Sequence, residues 1–219
     1  MLKFLEKKTA AEVDSSVIWM HGLGASGYDF LNIIDALKLS KKLKIRFIFP
    51  HAPEIPVTIN NNLIMPAWYD ISGAELTDKQ DTTGIKESAN LISELIHYEF
   101  KRGIPYSRIV LAGFSQGCAM ALYTALKFSE NIAGIIALSG YLPLDYEFKN
   151  KESVKNIDTP IFFGHGMYDK VVKQKWGEDS RNFLKEHGFN TIWRTYKMDH
   201  SISIEELNDV STFLNKTLS

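Results

Sequence analysis

The stretch Ile109-Val-Leu-Ala-Gly-Phe-Ser-Gln-Gly-Cys118, running on into Ala119-Met-Ala-Leu-Tyr-Thr-Ala-Leu126, admits few folds. It opens as a short apolar run with β-branched residues, which reads as a buried strand. It continues as an Ala/Leu-rich run at helical spacing. Between the two lies Gly113-Phe-Ser115-Gln-Gly117, a G-x-S-x-G pattern. A strand that turns sharply into a helix leaves no room for large side chains beside the serine, so glycine flanks it. The strained turn pushes the Ser115 hydroxyl outward, and the helix N-terminus behind it favours developing negative charge. Small residues also gather at ordinary strand–helix turns, so the chemistry of the pentapeptide depends on partners elsewhere in the chain.

The rest of the chain repeats the strand–helix rhythm. Ser16–Met20 reads as a buried strand that ends in the glycine-rich loop His21-Gly-Leu-Gly-Ala-Ser-Gly27, and Tyr28–Leu37 has helical spacing. Ile45–Phe49 is the next strand, stopped by Pro50. Thr83–Lys101 is a helix with Ile85, Ala89, Ile92, Leu95, Ile96 and Phe100 on one apolar stripe, ended by Gly103 and Pro105. Ile132–Leu138 and Pro160–Phe163 are further strands, Lys173–His187 a helix closed by Gly188, Thr191–Tyr196 a strand, and Ile204–Leu214 the last helix. Such alternation predicts an α/β fold with a mostly parallel central sheet and helices on both faces. A chain of 219 residues, 45% of them hydrophobic, suffices for one domain over 1–219 with a large core.

One segment breaks the rhythm. From His51 to about Asp81 no helix is apparent, and Pro53, Pro56, Pro66 and Asn60-Asn-Asn62 punctuate it. Inside lies Leu63-Ile-Met-Pro-Ala-Trp-Tyr-Asp70, an apolar and aromatic cluster. A loop of this length in a compact domain is usually functional. Trp68 and Tyr69 read equally as plugs of the core and as a pocket wall.

A serine hydroxyl needs a base within hydrogen-bond reach, and the base needs an orienting acid. When the serine sits on such an elbow, the acid and then the histidine follow it along the chain, each on a loop at the C-terminal end of a strand. Of the six histidines, His21, His51 and His97 precede Ser115. His165 comes before the best acid, and His187 lies in a helix's last turn, where a basic side chain suits the dipole. His200, between a strand and a helix, is the candidate base. Asp169 follows the strand Ile161–Phe163 through a Gly-His-Gly turn, whereas Asp145, Asp158, Asp179 and Asp199 lack that placement. The oxyanion donors are then expected to be the N–H of Gln116, just after the nucleophile, and that of Leu23 in the early glycine loop.

Taken together, His21-Gly-Leu-Gly, Met65-Pro-Ala-Trp-Tyr-Asp70, Gly113-Phe-Ser-Gln-Gly117, Leu138-Ser139, Tyr141-Leu-Pro-Leu144 and His165-Gly-x-x-Asp169 resemble the acyl-protein thioesterase/carboxylesterase/lysophospholipase group of α/β-hydrolases. The resemblance covers nearly the whole chain. It implies that fold and hydrolysis of acyl esters or thioesters, with a lysophospholipase as the alternative. It implies Ser115, Asp169 and His200 as the triad, Leu23 and Gln116 as oxyanion donors, and Leu63, Met65 and Trp68 as substrate-binding residues of the acyl site. The chain departs from the pattern at Ala25, Cys118 and Met167. Cys118 reads most simply as a core residue behind the elbow, with a regulatory thiol as the other reading.

The stretch from Gly140 to Pro160 is too short for a large lid domain, so an open site is expected. An open site suits a bulky substrate presented at a surface, such as an acylated protein, a lysolipid or a micelle; a small ester is a further candidate substrate. Neither metal nor cofactor is called for. The net charge of −1 offers no field for nucleic acid. The single cysteine forms no intrachain disulfide, Met1–Lys8 has no signal-peptide core, and no apolar run approaches the ~20 residues of a membrane span. A cytoplasmic protein is expected, with peripheral membrane contact through the Leu63–Trp68 loop and a homodimer both compatible with this reading.

Overall fold

The computed structural model describes residues 1–73, 79–149, 154 and 156–219. In chain order its elements are β1 (Phe4–Lys8), β2 (Ser15–Met20), α1 (Ile33–Ala36), β3 (Ile45–Pro50), β4 (Glu54–Val57), β5 (Leu63–Pro66), α2 (Thr82–Lys101), β6 (Ile109–Phe114), α3 (Gln116–Lys127), β7 (Gly134–Leu138), β8 (Ile161–Gly166), α4 (Gln174–Glu186), β9 (Thr191–Tyr196) and α5 (Ile204–Thr217). Seven strands form one sheet in the order β1-β3-β2-β6-β7-β8-β9. Every neighbour pair in it is parallel except β1 with β3. This is the mostly parallel α/β architecture that the alternation predicts, and it fits the α/β-hydrolase fold that the resemblance implies.

β2, β3, β7 and β8 are buried at every residue, as strands covered on both faces must be. On one face Ile85, Ile92 and Leu95 of α2, Leu122 of α3 and Leu184 of α4 pack against Ile18, Leu111 and Phe163. On the other, Ile34 of α1 and Leu207, Val210 and Phe213 of α5 pack against Val17, Ala112 and Phe162. Asp81 caps α2 by accepting the Gly84 N–H at 2.9 Å, and Ser203 caps α5 by accepting the Glu206 N–H at 3.1 Å.

Three expectations need correction, and one strand was not anticipated. The expected helix over Tyr28–Leu37 is a 3-10 turn at Gly27–Phe30 followed by the single turn of α1. Phe100 does not continue the buried stripe of α2. It is 49% exposed and stacks on Tyr106 at 4.2 Å. The segment after His51 contains a hairpin, with β4 and β5 paired antiparallel from Glu54↔Pro66 to Val57↔Leu63. Finally, β1 is an edge strand that no apolar pattern announces. An ion-pair chain anchors it: Arg102 bridges Glu6 at 2.8 Å and Glu99 at 3.0 Å, and buried Glu99 also pairs with Arg46 of β3 at 2.9 Å.

Between β7 and β8 the described residues hold only a 3-10 turn at Asp145–Phe148, and no large lid. Among the described residues no helix is long and apolar enough to cross a membrane.

Candidate active site

Because β2, β6, β8 and β9 run parallel, their C-terminal ends share one edge of the sheet, where open α/β sheets place their ligands. The glycine loop follows β2, Ser115 follows β6, Asp169 lies three residues past β8 and His200 four past β9.

The elbow is built by close approach. A Cβ on Gly113 would lie 2.0 Å from the Gly117 carbonyl oxygen, and one on Gly117 would lie 2.3 Å from that of Met20. Neither position therefore admits a side chain. Ser115 itself holds φ 58° and ψ −120°, a backbone region that non-glycine residues rarely occupy. Strain of this kind persists only where the surroundings impose it. Here β6 ends, α3 begins and β2 crowds Gly117.

The structure brings Ser115, His200 and Asp169 together. His200 Nδ1 lies 2.7 Å from Asp169 Oδ2, and His200 Nε2 lies 2.9 Å from Ser115 Oγ. An ionised carboxylate only accepts, so Nδ1 carries the proton and Nε2 is left to accept from the serine hydroxyl. The other oxygen of Asp169 accepts the N–H groups of Val171 and Val172, each at 2.9 Å. Burial acts to raise the Asp169 carboxyl, but the bonds from His200, Val172 and Val171 outweigh it and hold the group below the usual carboxylate range. The Phe114 ring packs on the His200 ring at a 4.7 Å centroid separation. The set can store a proton on an oriented imidazole next to a hydroxyl, which nucleophilic acyl transfer requires.

Leu23 and Gln116 both face the cavity beside Ser115. Gln116 is the first residue of α3, so its N–H has no helical partner. Among the described residues the Leu23 N–H donates to no backbone carbonyl, while the next one, of Gly24, is tied to Pro66 O at 2.8 Å. His21 fixes this loop. Its Nδ1 donates to Gly22 O at 2.7 Å and its Nε2 accepts the Ala52 N–H at 3.0 Å. Burial pushes the His21 imidazole down, toward the neutral form that these bonds need.

The cavity holds about 530 Å³. Its lining differs from the residues named from the sequence for the acyl site. Leu63, Met65 and Trp68 are not among its lining residues; from that segment Ile59, Asn60, Tyr69 and Ile71 line it. The hairpin is the reason. Its turn folds back so that Ile59 N–H bonds Ile71 O at 2.8 Å and Thr58 bonds Asp70, while Leu63 and Ile64 stand exposed. Met65 accepts from Asn60 Nδ2 at 3.3 Å. Trp68 is 1% exposed and sits behind the site, with its indole N–H on His21 O at 2.8 Å.

Three contributions were missed from sequence. The Gln116 side chain accepts Trp68 N–H at 2.8 Å and donates to Tyr69 O at 2.7 Å, so it clamps the elbow to the segment after the hairpin. His165 donates to Val172 O at 2.9 Å and closes the loop that carries Asp169. The hydroxyls of Tyr69 and Tyr141 meet at 3.0 Å on the cavity wall. The first and third depend on contacts remote in sequence, and the second on the path of a loop that no residue pattern announces. Cys118 is buried against Gly140 behind the elbow, and burial pushes its thiol far up.

Residues 6–218 match the phospholipase/carboxylesterase family. Acyl-protein thioesterase 1 of Neurospora crassa is 41% identical over 213 residues, 93% of this chain and 87% of the relative. Acyl-protein thioesterase 1 of Candida albicans is also 41% identical, over 91% of this chain and 90% of the relative. Among solved structures, SOBER1 of Arabidopsis thaliana superposes with a TM-score of 0.87 at 29% identity, covering 94% of this chain and 99% of that one. Acyl-protein thioesterase 2 of Zea mays superposes with a TM-score of 0.86 at 26% identity over 100% of both chains. The chain therefore belongs to the phospholipase/carboxylesterase family, and with it to the serine hydrolases of the α/β-hydrolase fold.

Proposed function

We propose that this protein hydrolyses acyl thioesters and esters through Ser115, His200 and Asp169, with acylated proteins as its substrate class and residues 1–219 acting as one catalytic domain. The hydrogen-bond chain Ser115–His200–Asp169, at 2.9 and 2.7 Å, carries this reading. Ser115 Oγ attacks the acyl carbonyl carbon while His200 Nε2 takes the hydroxyl proton. The carbonyl oxygen becomes an oxyanion held by the N–H groups of Leu23 and Gln116; one such donor is typically worth ~10²–10³ in rate. The C–S or C–O bond then breaks, and His200 returns its proton to the departing sulfur or oxygen. Water, deprotonated by His200, releases the acid from the ester on Ser115. Asp169 holds Nδ1–H throughout and stabilises the imidazolium.

Leu23, Phe30, Ile59, Ile71, Phe114 and Val171 give the cavity an apolar lining suited to an acyl group. The names of the thioesterase relatives favour a protein substrate. Exposed Leu63 and Ile64 favour peripheral contact with a membrane surface, where acylated proteins and lysolipids are presented. A cytoplasmic location is part of this reading, and the lone buried cysteine is in keeping with it. A fluorophosphonate probe should label the wild-type protein and leave Ser115→Ala unlabelled, and the variant should turn over no p-nitrophenyl butyrate. Full turnover by Ser115→Ala would sink the proposal. Parallel rates on an S-acyl-cysteine peptide and on lysophosphatidylcholine separate the protein reading from the lipid one.

A further inference from the structure

In the proposed reaction two groups part at the acyl carbon: the acyl chain, which stays on Ser115, and the leaving sulfur or oxygen, which His200 protonates. The apolar cavity takes the first. A second hollow, of about 550 Å³, is lined by Tyr168, Lys170, Val171, Asp199 and His200. It shares Val171 and His200 with the acyl cavity, so the two meet at the base, and a group that departs from His200 has this hollow beside it. Apolar side chains stand out into solvent on its wall: Tyr168 is 58% and Val171 60% exposed. Lys170 and Asp199 add one charge of each sign, so no net charge selects a cation over an anion there. The wall is also fixed. Met167 N–H bonds Tyr196 O at 2.8 Å, Tyr168 N–H bonds Met198 O at 3.0 Å, and Val171 N–H bonds the Asp169 carboxylate at 2.9 Å. The loop that delivers Asp169 to His200 thus delivers Tyr168 and Val171 as well, and a contact with them costs little ordering of the enzyme.

We infer that this hollow receives the peptide next to the acylated cysteine, and that Tyr168 and Val171 are specificity-determining residues that favour acyl-cysteines flanked by apolar side chains. The inference rests on the reaction proposed above and narrows its substrate class. A cysteine sulfur alone fills little of 550 Å³, whereas a leucine-sized neighbour has room there. In the free enzyme both side chains are left in water, so covering them is favourable in proportion to the apolar area hidden. Hiding ~40 Å² corresponds to roughly a fivefold preference. A lysolipid headgroup brings a charged phosphate rather than apolar surface, and gains nothing from Tyr168 or Val171.

The test uses two S-butyryl-cysteine peptides of equal charge, with the cysteine set between two leucines in one and two serines in the other. Both give the same acyl-enzyme, so a difference in kcat/KM reports the leaving peptide alone. The leucine peptide should be favoured by roughly fivefold. The ratio should hold in Tyr168→Phe, which keeps the ring, and fall toward unity in Tyr168→Ser. Val171→Ser should lower it too; any change this makes in the acyl cavity is common to both peptides and cancels in the ratio. Both side chains stand in solvent, so the variants keep the core, and turnover of p-nitrophenyl butyrate shows that each is folded. Equal rates on the two peptides in the wild type, or a preference for the serine peptide, would overturn the docking surface while leaving the esterase intact. An unchanged ratio in either serine variant would overturn the role of that residue, and a ratio lost in Tyr168→Phe would overturn the ring contact. Hydrolysis of neither peptide would overturn the substrate class of the proposed reaction as well.

Discussion

Gln116 works at both ends of its side chain and at its backbone. Its N–H opens α3 toward the cavity, while its amide grips Trp68 N–H and Tyr69 O. Gln116→Leu keeps the backbone donor and most of the volume, but it orphans two buried backbone groups at about 1–3 kcal/mol each. The urea midpoint should fall accordingly. KM for long acyl chains should rise, because Tyr69 on the cavity wall loses its anchor. A variant with wild-type stability would mean that the clamp contributes nothing. Ser115 illustrates the other residue-scale theme, strain maintained by neighbours. Its left-handed backbone is imposed by Gly113 and Gly117 packing against carbonyls at distances no side chain tolerates.

Among the elements, the β4–β5 hairpin does the most that a linear pattern cannot reveal. It lifts Leu63 and Ile64 into solvent at 63% and 66% exposure, and turns Ile59 and Ile71 inward to the cavity. Replacing Leu63 and Ile64 together with serine should leave folding intact and weaken co-sedimentation with liposomes by tenfold or more. Each buried side chain of this size is worth about 1.5–3 kcal/mol. Activity on long acyl chains should drop more than on short ones; equal losses would remove the membrane contact from the account. The hairpin also shows where sequence reading stops. Strands β2, β3, β6, β7 and β8 were legible because burial on both faces demands continuous apolar runs, and α2, α4 and α5 because their stripes repeat at helical spacing. Ser115, Asp169 and His200 could be picked out because chain order and strand-end position are one-dimensional properties. β1 was not legible, since it is held by the Arg102–Glu6 ion pair and by pairing with β3 rather than by burial. The lining of the cavity was not legible either. Which of Ile59, Leu63, Trp68 or Tyr69 faces inward depends on hairpin register, not on hydrophobicity.

Across the whole molecule, one titration should dominate the alkaline side of the stability profile. Glu206, in the first turn of α5, is fully buried, and neither carboxylate oxygen has a hydrogen-bond partner among the described residues. Burial, helped by the charge of Asp209, pushes it up to about 8. A carboxyl raised on folding binds its proton more tightly in the native state. Its contribution is full below the ordinary value of 4.5 and is lost as pH rises through about 8. Glu206→Gln should flatten the fall in urea midpoint between pH 5 and 9, a difference on the order of a few kcal/mol at the alkaline end. Matching slopes for the two proteins would contradict this. Asp169 acts in the opposite sense, with stability present above the ordinary carboxylate value and lost as pH falls through its lowered one. The short connection from β7 to β8 bears on chemistry as well as on access. With no lid domain over the elbow among the described residues, an acyl group carried on Ser115 would stand open to the surrounding solution. Any small nucleophile abundant there could compete with water for it. The choice of acceptor would then be governed by supply rather than by shape, and added alcohols would be converted to esters in proportion to their concentration.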